Sequence, residues 1–279
     1  MTRCCKCPLP AMIYQRYSGM HLCPAHFEDD VQRKVREILR QSGLFAHGLR
    51  LALAMDGGKG SAVMASIIKK LFEQRRDIDL FALILDDQGA GAQAARIACQ
   101  QLGVAVAVEI ATPWTLEEGR NMKENDPVPD PIGFAQKMRI LAEIAHEMGA
   151  EAIATGHDLD DVATEIFISY LDGNIDELQY GRQGMRPARY GQGMIPTIQP
   201  LRRIPGREVR LYALRHGLCF WGERREDERH KEARRELSRF DLRHPGTRYS
   251  LLRSLDKLDL NNLIDQEPKG AKPLSEGEK

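Results

Sequence analysis

Three groups of residues in this 279-residue chain have the types and spacing to do chemistry. The first is Asp56-Gly57-Gly58-Lys59-Gly60-Ser61, which follows an apolar run over 49–54 and precedes a helical pattern that starts at Ser61. A strand, a glycine turn and a helix start leave backbone N–H groups aimed into the space above the strand. The positive end of the helix dipole adds to them, so the turn can cradle a phosphate. Adjacent glycines permit the close backbone approach and unusual φ values this requires. The same turn can also serve packing alone.

The second group is Thr155-Gly156-His157-Asp158-Leu159-Asp160-Asp161. It has the same form, with a strand end, a glycine turn and a helix start, and here the turn carries carboxylates. Asp160 and Asp161 in a first helical turn either complement the helix dipole or hold Mg²⁺ against phosphate oxygens. His157 by itself assigns nothing.

The third group is Cys4-x-x-Cys7 with Cys23-x-x-His26. An x-x spacing turns both ligands of a pair toward one point, so two pairs can complete a tetrahedral Zn²⁺ site. All four ligands come from protein, which makes the site closed and structural. Cys5 and His21 are rival ligands outside any x-x pair. About thirty residues bury too little apolar surface to order themselves unaided, which argues against a metal-free cluster.

The elements that must position these groups follow from hydrophobic periodicity. After a short hairpin within 8–22, a helix is expected over 27–42, with Val31, Val35, Ile38 and Leu39 inward. Strands are expected over 49–54, 78–85, 104–110 and 150–155, with helices over 61–75, 92–102 and 134–148 between them. Strand and helix in this rhythm predict an α/β fold, a doubly wound parallel sheet with an N-terminal zinc knuckle. Ligands of such sheets bind at the carboxyl ends of the strands, where the first two groups and the Asp86-Asp87 pair all fall. A proline-rich stretch over 112–133 reads as a lid or binding loop. A further helix is expected over 164–180, with Ile166, Phe167, Tyr170 and Leu171 inward. A charged helix is expected over 223–239, its acids and bases pairing with each other or contacting RNA backbone. The domain reading is a knuckle over 1–30, a linker helix over 31–48, a nucleotide-binding domain over 49–220, a charged helical region over 221–262 and a disordered tail over 263–279.

Composition narrows the function. Lysine plus arginine and aspartate plus glutamate number 40 each, so no global field advertises nucleic acid or membrane. No apolar run is long enough to span a bilayer, and a cytoplasmic location is the expectation. The six cysteines are clustered for metal use, with Cys99 and Cys219 apart from the rest.

Together, the glycine loop and Thr155-Gly156-His157-x-x-Asp160-Asp161 resemble the PP-loop ATP pyrophosphatases. The cysteine knuckle, Ile198-Gln199-Pro200-Leu201-Arg202, Glu208-Val209 and His244-Pro245-Gly246-Thr247-Arg248-Tyr249-Ser250 resemble the tRNA 2-thiolation branch of that family. The resemblance implies an adenine-nucleotide hydrolase type of α/β domain that uses ATP and Mg²⁺. It also implies adenylation of the C2 oxygen of a tRNA pyrimidine, pyrophosphate release and replacement of oxygen by sulfur. Carried onto this sequence, it places nucleotide at Ala54, Met55, Asp56, Gly57, Gly58, Lys59, Ser61, Leu85, Gly156, His157 and Asp160. Catalytic roles fall to Lys137, which would steady the activated oxygen, and to Asp161 and Asp56, one or the other of which would hold Mg²⁺. The implied partners are tRNA, an external sulfur carrier and a second copy in a homodimer, with no membrane.

Two departures bear on mechanism. The family loop reads Ser-Gly-Gly-x-Asp-Ser, whereas here Asp56 replaces the first serine and Gly60 replaces the aspartate. Either the carboxylate has moved along the loop and still reaches Mg²⁺, or the loop binds without catalysis. The branch also carries a Cys-x-x-Cys-Gly segment before the Lys137 helix and a later cysteine. Here 128–133 holds no cysteine and Cys219 lies slightly early, so an iron–sulfur cluster of the family type is not expected. Sulfur then comes from outside or from Cys219 as a persulfide. The alternatives are a non-catalytic nucleotide- or tRNA-binding paralogue, and an adenylating ligase that transfers no sulfur.

Overall fold

The computed structural model describes residues 2–86, 89–111, 134–174, 195–222 and 228–257. The expectations for 112–133, Asp87 and the tail over 263–279 lie outside the described residues.

The N-terminal hairpin pairs β1 (Ile13–Gln15) with β2 (Met20–Leu22). It leads into α1 (Pro24–Gln41), which starts at the second metal-ligand pair, with Pro24 at its first position. Val31, Val35 and Ile38 of α1 are fully buried. The main sheet contains β3 (Leu49–Met55), β4 (Ile78–Asp86), β5 (Ala105–Ala111), β6 (Ala152–Ala154) and β7 (Thr197–Ile198). Among the described residues its order is β5-β4-β3-β6-β7 and every pairing is parallel. The connecting helices are α2 (Lys59–Phe72), α3 (Ala90–Leu102), α4 (Phe134–Glu147), α5 (Leu159–Asp172) and α6 (Gly206–Arg215), followed by α7 (Glu228–Arg243) and α8 (Thr247–Lys257). The doubly wound parallel sheet is therefore present as expected. Parallel strands covered on both faces must be apolar throughout, and β3 buries every residue except Arg50.

One face of the sheet packs Leu51, Leu53 and Met55 against α1, α2, α3 and α6. The other packs Ala52, Ala54, Phe81 and Leu83 against Leu141, Ala142 and Ala145 of α4. Chain order runs outward from β3 through β4 to β5, then returns to β6 on the opposite side. The reversal opens a crevice between the carboxyl ends of β3 and β6. The glycine loop follows β3 and the acidic turn follows β6, so the two sequence groups meet there.

Two expectations need correction. The helix placed over 164–180 runs from Leu159 to Asp172, because Asp158 caps its start and Gly173, at φ +70°, closes its end. That register turns Leu159, Val162 and Ile166 onto Leu252 and Leu255 of α8. Tyr170 and Leu171, expected inward, are 39% and 67% exposed. Arg202, in the segment that carries the family resemblance, is buried and bonds Asp256 at 2.9 Å.

The hairpin reaches the main domain through a buried polar network. Gln15 Nε2 donates to Asp30 Oδ2 at 3.0 Å and to Glu208 Oε2 at 3.1 Å. Tyr17 Oη donates to Glu208 Oε2 at 3.1 Å, and Lys34 Nζ lies 2.8 Å from Asp30. Burial raises the Glu208 carboxyl above its ordinary value. Burial also acts to raise Asp30, but Lys34, Gln15 and Arg33 outweigh it and hold that carboxyl low. Since β1 and β2 add only Ile13 and Leu22 to the core, the hairpin depends on its metal site and this network. Chelation should therefore release about one equivalent of zinc and lower the melting temperature, with exchange protection lost first at 13–22. Hydrogen exchange with and without chelator checks this, and full protection in metal-free protein would refute it.

Candidate functional site

The metal site assembles as the spacing requires. The donor atoms of Cys4, Cys7, Cys23 and His26 lie within 4.8 Å of one another. His26 Nδ1 is 3.4 Å from Cys4 Sγ and 3.3 Å from Cys23 Sγ, and Cys7 Sγ is 3.6 Å from Cys23 Sγ. Zn–S bonds of about 2.3 Å and Zn–N bonds of about 2.0 Å at tetrahedral angles span separations of this size. The residues fit Zn²⁺ in a closed structural role. The rivals are engaged elsewhere: His21 stacks on Tyr14 at 4.5 Å, and Cys5 Sγ accepts from the His21 backbone at 3.3 Å.

At the crevice, the two turns are in backbone contact. A Cβ on Gly60 would lie 2.0 Å from the Gly156 carbonyl oxygen, and one on Gly156 would lie 2.3 Å from the Ser61 nitrogen. Only glycine at both positions allows this approach. Gly57, at φ +77°, backs onto the Gly91 carbonyl at the start of α3, 1.9 Å from where its Cβ would be. Its own carbonyl accepts from Trp221 N at 2.7 Å. Residues 219–222 therefore lie along the glycine loop, a placement that no local pattern announces.

Asp56 is exposed, and its Oδ1 accepts from Gly58 N at 2.9 Å and Ser61 Oγ at 2.6 Å. The loop's own carboxylate thus engages two donors suited to a phosphate. Lys59 reaches across the crevice to Asp158 Oδ2 at 2.8 Å. Asp158, which the sequence reading passed over, is the hub of the acidic turn. Its Oδ1 accepts from the backbones of Asp160 at 2.9 Å and Asp161 at 3.1 Å, while its own N–H donates to Asp161 Oδ2 at 3.1 Å. The signal was an aspartate three residues before a second carboxylate at a helix start, which is a capping box.

Asp161 also pairs with Arg234 of α7 at 3.0 Å, and Asp160 pairs with Arg248 of α8 at 3.4 Å. Glu165 meets His230 at 3.1 Å, and Arg229 pairs with Asp172. Basic residues of the charged region thus neutralise α5. Lys231–Glu228 and Arg239–Glu236 pair locally along α7. His157 Nδ1 lies 2.9 Å from Thr155 Oγ1. The side chains of Ala54 and Met55 are buried on opposite faces of β3. Lys137 falls in the first turn of α4 and Leu85 near the end of β4; the side chains of both lie outside the described residues.

This geometry defines an α/β fold with a parallel sheet and two turns that converge at its carboxyl edge. Residues 27–244 match the PP-loop domain, and the chain belongs to that family. Residues 3–28 match the N-terminal LIM domain of the 2-thiouridine synthetase TtuA. The chain is 27% identical to a probable sulfurtransferase of Methanocaldococcus jannaschii, covering 91% of this chain and 77% of that protein. It is 27% identical to the tRNA 2-thiolation protein NcsA of Haloferax volcanii, covering 91% and 86%. With the tRNA-5-methyluridine(54) 2-sulfurtransferase of Pyrococcus horikoshii the identity is 28%, over 90% and 81%. In fold it resembles the U34-tRNA thiolase NcsA of Methanococcus maripaludis, at TM-score 0.77 and 24% identity over 98% of this chain and 90% of that one.

That structure is described with a [4Fe-4S] cluster. Outside the knuckle this sequence holds only Cys99 and Cys219. Cys99 is buried against the sheet, and burial pushes its thiol up to about 11. Cys219 is part-exposed, its backbone N–H bonded to Gln101 Oε1 at 3.0 Å. The thiols of this chain do not fit a three-cysteine cluster.

Burial, with the charges of Asp161 and Asp160, pushes the Asp158 carboxyl up to about 6, against the offset from Lys59. Between about pH 4 and pH 6 the folded protein holds a proton that the unfolded chain has lost, so this group makes stability fall as pH rises through that window. Asp158→Asn keeps the cap acceptor and removes the titration. Urea unfolding at each pH should show the slope in the parent and a flatter profile in the variant; identical profiles would refute the assignment.

Proposed function

We propose that this chain is an ATP-dependent tRNA 2-thiolation enzyme. The observation that carries the reading is the join between the two turns: the glycine loop and the acidic turn are locked together through Gly60, Gly156 and the Lys59–Asp158 pair. The family match and the thiolation relatives support the substrate class.

In this reading, Gly57, Gly58, Lys59 and Ser61 hold the phosphates at the positive end of α2. Asp56, whose Oδ1 serves the loop, would hold Mg²⁺, which would supply neutralisation of the phosphate charge. Asp161 shapes the turn through its cap and its Arg234 pair, and Lys137 steadies the base oxygen. The C2 oxygen of the pyrimidine attacks the α-phosphorus, the bond between α-phosphorus and bridging oxygen breaks, and pyrophosphate leaves. A sulfide-level sulfur nucleophile delivered by an external carrier then adds at C2, and the C2–oxygen bond breaks so that AMP departs with the oxygen; the exchange needs no oxidant or reductant.

A second reading rests on Asp56. Its hydrogen bonds engage donors that a phosphate could use, which suits a paralogue that binds tRNA without activating it. Pyrophosphate release from ATP and Mg²⁺ separates the two, measured anaerobically in a single turnover with tRNA from cells that lack the modification. A tRNA-dependent burst is expected. Asp56→Asn keeps the loop hydrogen bonds and removes the charge, and should weaken Mg²⁺-dependent ATP binding by roughly tenfold. Equal or tighter binding would remove Asp56 from the metal, and an absent burst in the parent would favour the binding paralogue.

A further inference from the structure

Gln199 is 2% exposed, and neither its amide nitrogen nor its amide oxygen has a hydrogen-bond partner among the described residues. Leaving buried amide groups unpaired opposes folding, and an apolar side chain of the same length would avoid that cost. The residue also stands at a telling place. The β6–β7 register pairs Ile153 with Thr197 and Ala154 with Ile198, and Thr155 N continues it by donating to Ile198 O at 2.9 Å. Gln199 is the next residue, at the carboxyl edge beside Thr155. Ile198 belongs to the face covered by α2 and α6, whereas Ile153 and Ile195 belong to the face covered by α4. Alternation along an extended strand places Gln199 on the α4 side, and Lys137 falls in the first turn of α4.

Strand order separates this position from ATP. β7 is two strands from β3, roughly 10 Å at the usual strand spacing, and β4, which carries Leu85, lies on the far side of β3. With ATP taken over β3 and β4 as in the proposed function, the group left to pair with Gln199 is the second substrate. A primary amide presents one acceptor and two donors side by side. That pattern complements N3–H and O4 of a uracil ring, and by amide rotation N3 and the 4-amino group of a cytosine. This edge leaves the C2 oxygen unoccupied and able to face the glycine loop.

We propose that Gln199 reads the target pyrimidine through its N3 and position-4 edge, fixing the ring so that the C2 oxygen points at the α-phosphate. The inference rests on the thiolation reading and names the residue that selects its base. The test compares Gln199→Met with the parent. If the amide serves the base, Gln199→Met melts at the same or a higher temperature, while kcat/KM for tRNA-dependent pyrophosphate release falls roughly tenfold to hundredfold, as for loss of a bidentate base contact. A structural role would move stability and rate down together. Gln199→Met that is stable and fully active would overturn the proposal, leaving the amide to pair with nothing more than a bound water. If Gln199→Met fails to fold, Gln199→Glu, which lacks the donor, is read in the same way. If the parent shows no tRNA-dependent burst, the thiolation reading itself fails. Gln199 is then judged by equilibrium binding of uridine 5′-monophosphate: binding lost in the variant supports base reading, and equal binding overturns it.

Discussion

Gly60 and Gly156 bring two turns closer than any side chain permits, and the arrangement of the crevice depends on that contact. One turn ends the central strand and the other ends its neighbour, so their approach sets the distance between the amides of the glycine loop and the acidic cluster. A methyl group on either glycine would strike backbone, which cannot rotate aside. The Lys59–Asp158 pair crosses the same gap and adds charge to a contact already fixed by shape.

Four carboxylates, Asp56, Asp158, Asp160 and Asp161, surround this contact. Crowding of that kind raises proton affinity and opposes folding unless donors and cations answer it. The backbone of α5 answers Asp158, Lys59 answers it again, and Arg234 and Arg248 answer Asp161 and Asp160. The last two come from α7 and α8, far along the chain. The charged C-terminal helices are thus part of the site's electrostatics, and Arg234 and Arg248 are committed to it.

The knuckle solves a different problem. Its hairpin buries too few side chains to hold a fold, and four ligands around one ion replace the missing core. Its attachment to the main domain is polar, through Gln15, Tyr17, Asp30, Lys34 and Glu208. A buried network with each member paired fixes one orientation, where an apolar contact would tolerate several.

The sequence by itself determined what depends on neighbours along the chain. Periodicity marked most strands and helices, the x-x spacing marked the metal ligands, and two strand–glycine–helix turns marked the crevice. These are short-range rules, because an i,i+3 ligand pair or a pleat places its side chains wherever the element happens to lie. Tertiary structure alone decided which groups answer one another across long separations. It buried Arg202, turned Tyr170 outward, set Trp221 against Gly57, made Asp158 the hub and left Gln199 without a partner among the described residues. Each of these follows from the packing of elements far apart in the chain, and the free energies involved belong to contacts that no local pattern encodes.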